Sequence, residues 1–287
     1  MMDKIAVLVH WPSWEAEEQS FELSEGISVC STRNHPVFEN YVKMCEMDGL
    51  DEGEPLNYKV MFLLDWDKES SPEWDSPYTT VSELCNIMAI CTASPLGEIR
   101  LLSADDNSNY RMQTRTLYHE GPETDTLNHD FPKIDLLVLS KMQKCWQTCK
   151  SLTEGRMTNA LSYYFYSWRV HFIQHTCINL SIVLESLFSP NTNSEVSHQI
   201  AFYASRFMGE DRLKRQAIYK SVKSFYSQRS RIVHGDMPNY EVMSKNTADM
   251  FASCSHLLEK LLLDHDLANR FNDKSKREKL LAEMLYG

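Results

Sequence analysis

The chain has 287 residues, 43% apolar and 24% charged, with a formal charge of −11; this describes a folded protein with room for one large or two ordinary domains and excludes a disordered chain. No apolar run reaches the length of a membrane span, and the run at residues 5–9 is too short for a signal sequence. The eight cysteines form no Cys-x-x-Cys pair, so they read as reduced thiols of a cytoplasmic protein, with neither disulfides nor a bound metal expected.

Charge is divided unevenly. Residues 1–131 carry 25 acidic and 8 basic side chains (−17) and residues 132–287 carry 15 and 21 (+6), which together return −11. The split suggests two domains, 1–131 and 132–287, of which only the second suits a polyanion. In the first, residues 4–11, 20–31, 58–66, 97–103 and 110–118 are rich in apolar and β-branched residues and read as strands, while 35–47 and 80–91 read as helices. Spaced strands with a helix or two predict an α+β or β-sandwich-like domain, acidic and suited to sensing or regulation. It holds no catalytic string. Trp11, Trp14, Trp66 and Trp74 stand near turns, where they either line a ligand site or pack against a sheet.

From residue 132 onward helix is predicted to follow helix. The first covers 133–151, with Leu136, Leu139, Met142 and Trp146 aligned. A second, very long one covers 155–188, its apolar stripe Leu161, Phe165, Trp168, Phe172 passing through His175 and Asn179 to Ile182. A third covers 195–208, and after the fourth come 240–263 and 268–286. This is an all-α bundle. His171 and His175 at i, i+4 with Cys177 nearby resemble metal ligands, but no His-Glu-x-x-His string or third ligand accompanies them, so no metal is assigned.

The fourth helix, residues 211–235, carries the chemistry. Ile218, Val222, Phe225 and Ile232 recur at helical spacing, and Arg229 falls on the same stripe. A guanidinium cannot shed its charge, so at a core-facing position it needs a carboxylate, a phosphate or a second subunit. Glu185 is the carboxylate expected to pair with it. His234 and the helix-stopping Gly235 end the helix, so arginine and histidine are presented together. Arg212, Lys214, Arg215, Lys220 and Lys223 lead along the helix toward them as a phosphate-tracking surface would. Tyr219, Phe225 and Tyr226 are interleaved, either for base stacking or for the core.

The Arg-x4-His string from Arg229 to His234, within YSQRSRIVHG, resembles the HEPN superfamily of all-helical ribonucleases. Its Arg-Ser and apolar-Val-His-Gly form is similar to the Apea-like HEPN branch found in bacterial antiviral proteins, as are IVLESLF (182–188) and IAFYASRFM (200–208) on the preceding helices. The resemblance covers about residues 155–236. It implies a cytoplasmic endoribonuclease of antiviral or abortive-infection type, working on RNA as a homodimer in which two Arg-His sets face one cleft. Arg229 and His234 would be catalytic, and Ser230, Arg231, Tyr226, Asn179 and Glu185 would support them. Asp236 stands where HEPN toxins silenced by nucleotidylation carry tyrosine.

Those two residue types fit metal-free RNA cleavage. Histidine can move a proton at the 2′-hydroxyl or the leaving 5′-oxygen, and arginine's planar charged fork can stabilise the phosphorane. Five residues of helix separate them by about 140° and about 7.5 Å, so they meet one phosphate only across a groove or with a second copy. No cofactor is expected. The alternative reading is a catalytically silent HEPN-like dimer, an interaction or ligand-sensing module in which Glu185 neutralises Arg229 and His234 merely finishes the helix.

Overall fold

The computed structural model describes residues 2–9, 14–47, 58–67, 77–94, 96, 99–104, 110–117, 132–170, 172–189, 196–236 and 238–286. Six strands, β1 Met2–Val9, β2 Ser20–Ser24, β3 Ile27–Ser31, β4 Val60–Asp67, β5 Ile99–Ala104 and β6 Tyr110–Leu117, form one antiparallel sheet in the order β2-β3-β4-β1-β5-β6. An α+β unit is therefore followed by helices, as the sequence predicts. Strand β1 lies inside the sheet between β4 and β5, which explains its unbroken run: Ile5, Ala6, Val7, Leu8 and Val9 are all buried, so both faces of the strand are covered. The single strand expected at 20–31 is a hairpin. Gly26, at φ +72°, turns the chain where any side chain would be strained.

Helix α1, Pro36–Met47, repeats Val37, Tyr41 and Cys45 every four residues and lays them on Ala6, Leu8, Cys30, Met61 and Leu102. Helix α2, Pro77–Thr92, is buried on every side from Leu84 to Cys91. Helix α3, Leu136–Ser151, starts with the sheet. Gln143 Nε2 donates to the Glu22 carbonyl at 2.9 Å and Trp146 Nε1 to Ser24 Oγ at 3.2 Å. Leu139, Met142 and Trp146 are buried as expected, but Leu136, at the first turn, is exposed. The chain forms two compact units, one holding the described residues up to Leu117 with those from 132 to 147, the other those from Thr148 on.

The long helix predicted over 155–188 is two, α4 Arg156–Ser167 and α5 Ile173–Phe188. Asn159 Nδ2 donates to Ser186 Oγ at 2.7 Å, which sets the start of α4 beside the end of α5 in a helical hairpin. The reversal contains neither Gly nor Pro, so nothing in its composition announces it. With the break the predicted stripe fails, since Trp168 is buried while Phe172 caps α5 at 65% exposed.

Next come α6 Val196–Met208, α7 Arg212–Val233 and α8 Tyr240–Leu262, followed by α9 His265–Asn272 and α10 Lys274–Tyr286 where one helix was expected over 268–286. Asp273 makes that last division, its carboxylate accepting from the Lys276 amide as an N-cap. Among the described residues no helix is long and apolar enough to cross a membrane. The eight cysteines are free thiols, seven of them buried.

Candidate functional site

Helix α7 begins and ends on sequence-encoded caps. The Asp211 carboxylate accepts from the Lys214 amide at 2.8 Å. At the other end His234 is the C-cap and Gly235, at φ +84°, the residue beyond it. The Asp236 amide donates to the Arg231 carbonyl and the Gly235 amide to that of Ile232, so the helix closes in a Schellman turn that fixes where His234 stands. The imidazole is exposed, as are Ser230 and Arg231.

Arg229 sits on the core-facing side, as its place in the stripe predicts, between buried Phe225 and half-buried Ile232. It meets Glu185 of α5: Arg229 Nη2 lies 3.6 Å from Glu185 Oε1, with the two side chains 34% and 29% exposed. At that exposure and distance the pair contributes little, about 1 kcal/mol or less. Arg229 Nε is buried without a hydrogen-bond partner among the described residues. The guanidinium thus has a dry inner end and a wet outer end. Tyr226, one turn earlier on α7, donates its hydroxyl to the Ser181 carbonyl at 3.2 Å and lies 3.4 Å from Glu185 Oε1. Burial, and secondarily the Glu185 charge, push the Tyr226 hydroxyl well above the usual tyrosine range, with Arg229 opposing. It is therefore a permanent donor that tethers α7 to α5.

Beneath the arginine the packing is apolar enough to suppress ionisation. Burial pushes the Cys177 thiol on α5 up to about 12, against the smaller downward pulls of the Thr247 hydroxyl on α8 and the Arg229 charge. Thr247 Oγ1 itself finds no hydrogen-bond partner of good geometry among the described residues. Sequence reading met Cys177 only as a neighbour of His171 and His175 and missed Thr247 altogether, because neither is near the motif in the chain. Asn179 is half-buried on α5 and makes no hydrogen bond to Arg229, Glu185 or Tyr226.

The basic residues of α7 divide by what holds them. Arg212 and Lys220 are exposed. Lys214 pairs with Glu210, Arg215 Nε donates to the Gly209 carbonyl at 2.9 Å, and Lys223 Nζ donates to Ser197 Oγ at 3.1 Å. Phe225 and Tyr226 are buried and so belong to the core, while Tyr219 shares a 2.7 Å hydrogen bond with His198 Nδ1. Next to His234 in the chain, Val233 is about half exposed, and so are Tyr240 and Val242 in the first turn of α8.

Of the groups considered for metal binding, His171 lies outside the described residues. His175 is exposed with its ring edge-on to Phe172 at 5.7 Å, and Cys177 faces the core. No three His, Cys, Asp or Glu side chains gather with metal-binding geometry among the described residues. In the sheet unit Trp14 donates Nε1 to the carbonyls of Ala16 and Glu18, both at 3.1 Å, and so pins a turn. Trp11, Trp74 and the Trp66 side chain lie outside the described residues. Compared with known proteins, the chain matches no family model, no curated protein and no solved structure.

Proposed function

We propose that the helical part of this chain is a metal-independent RNA endonuclease of the Arg-x4-His kind, with Arg229 and His234 at the scissile phosphate. The observation that carries the reading is the state of Arg229, a guanidinium whose Nε end is buried with no hydrogen-bond partner among the described residues while its outer end meets only a loose, part-exposed carboxylate. A phosphate competes well for such a group, because it offers oxygens in the geometry of the arginine fork. Exposed His234 supplies the proton-transfer group, and Arg212 and Lys220 extend positive charge along the same helix. Exposed Val233, next to the histidine in the chain, and Tyr240 and Val242 at the start of α8 suit burial against a second copy, which would bring a second Arg-His set to the cleft. In this reading the protein is a cytoplasmic antiviral or abortive-infection effector, and the acidic sheet unit senses the trigger or restrains the nuclease. A deletion that tests the restraint removes residues 1–147, since the described residues up to Gln147 belong to the sheet unit.

A second reading is favoured by the Glu185 contact itself: a silent dimer in which the carboxylate neutralises Arg229 for good. The deciding experiment is cleavage of total cellular RNA with EDTA present by the full chain and by folded Arg229→Ala and His234→Ala variants. The nuclease reading expects 2′,3′-cyclic phosphate ends from the wild type and a loss of at least about a hundredfold in each variant. Equal cleavage by all three, or none by the wild type with and without residues 1–147, leaves the silent module as the better account.

A further inference from the structure

The face of the sheet under α1 changes character along its strands. Cys30 and Met61, paired across β3 and β4, are buried under the helix; two residues along, the pair is Ser28 and Leu63, and beyond it Asp65 stands beside Gly26. On β2 the partners of Cys30 and Ser28 are Ser20 and Glu22. Helix α1 starts at Pro36 and its apolar side follows Val37, Tyr41 and Cys45, so among the described residues the polar end of this face has His35 as a wall rather than a helix as a roof. The result is a recess of about 480 Å³, within the size range of small-molecule sites.

Its lining sorts by chemistry. Leu63 gives a half-buried apolar floor, while Ser20, Glu22, Ser28 and Asp65 are polar. Neither Glu22 nor Asp65 makes an ion pair among the described residues. The serine hydroxyls are already engaged, as Cys30 Sγ donates to Ser20 Oγ at 3.2 Å and lies 3.6 Å from Ser28 Oγ. His35 Nδ1 accepts from the Val37 amide at 3.3 Å, which leaves Nε2 to carry the ring's proton. Burial lowers the His35 pKa more than Glu39 raises it, so the wall is neutral at physiological pH and brings no positive charge of its own. Two open carboxylates, a neutral donor and an apolar floor ask for a positive group on a short aliphatic stem.

We propose that this recess binds a small organic cation of the amine or guanidine class, its charge held by Glu22 and Asp65 and its stem laid on Leu63. The site goes beyond the nuclease reading and stands or falls without it. It gives the sheet unit a ligand chemistry of its own, separate from RNA.

The test is calorimetric titration of the full chain with agmatine, which has an amine at one end and a guanidinium at the other, at physiological ionic strength. Saturable one-to-one binding is expected. The double variant Glu22→Gln/Asp65→Asn should weaken it at least about tenfold, since two charge-assisted contacts are lost. A control with the same change in net charge, Glu17→Gln/Glu154→Gln, should leave it unaltered, because both residues are exposed and outside the recess. Circular dichroism should show native helix content in both, the substituted groups being surface carboxylates. Absence of saturation, equal weakening in the control, or complete displacement of agmatine by equimolar magnesium would each overturn the proposal.

Discussion

Helix α5 ends between two arginines that are held in opposite ways. Arg277 of α10 is fully buried, and its Nη1 donates to the carbonyls of Leu187 at 3.3 Å and Ser189 at 2.7 Å. These are carbonyls that the last turn of a helix cannot satisfy for itself. Its Nε and Nη2 have no hydrogen-bond partner among the described residues, and burial, reinforced by the nearby Arg156 charge and opposed by Glu278, pulls its pKa below the ordinary arginine value. Arg229 of α7 reaches the same helix at Glu185, one third exposed and 3.6 Å away. The difference separates structure from availability. A guanidinium committed to buried carbonyls closes a helix; one loosely paired at the surface can exchange its carboxylate for a phosphate.

The largest effect that tests this contrast is at Arg277. Arg277→Ala leaves a cavity and two unsatisfied carbonyls and should destabilise the helical unit by about 3 kcal/mol or more, read from urea denaturation followed by circular dichroism. Arg277→Met keeps the apolar stem and should cost less. A cost under about 1 kcal/mol for the alanine variant would erase the distinction. Next is Glu185→Ala, which removes a part-exposed ion pair and a long Tyr226 contact and should cost about 1 kcal/mol. In a double-mutant cycle with Arg229→Ala the coupling should stay below about 1 kcal/mol. Coupling of about 3 kcal/mol would make Arg229 as structural as Arg277 and favour the silent module.

Sequence reading found one of these arginines and passed over the other, for a physical reason. Arg229 is anomalous locally, a charge on a stripe of Val222, Phe225 and Ile232, so periodicity exposes it. Arg277 sits in KSKREKLL, where a surface helix and a buried cap look alike, and its partners are backbone carbonyls about ninety residues earlier. The same logic covers the fold. Strand β1, α1 and the C-terminal stop of α7 were legible because each is written in neighbouring residues. The α4–α5 reversal was not, because the sequence between the two helices contains neither glycine nor proline to mark a break. At the candidate site Glu185, Tyr226 and Arg229 were legible, but Thr247 and the dryness around Cys177 come from three helices meeting.

That dryness supplies the smallest and most local test. Cys177 has an ordinary thiol value of 9.0 and is raised to about 12 by burial, although the Arg229 charge works in the other direction. Between those values the unfolded chain releases a proton that the fold retains. The contribution of the buried thiol is therefore complete below about pH 9 and is lost as pH rises toward 12, with a slope of at most about 1.4 kcal/mol per pH unit. Cys177→Ala should flatten the fall in urea stability over that window and leave neutral stability within about 1.5 kcal/mol of wild type. At pH 8 a disulfide reagent should label half-buried Cys149 before Cys177. If Cys177 reacts as fast as in the unfolded chain, water reaches the inner end of Arg229 as well as its outer end. An arginine solvated along its whole length would then owe nothing to its buried seat, and the fixed orientation required of it toward a phosphate would have to come from the second copy of the helix instead.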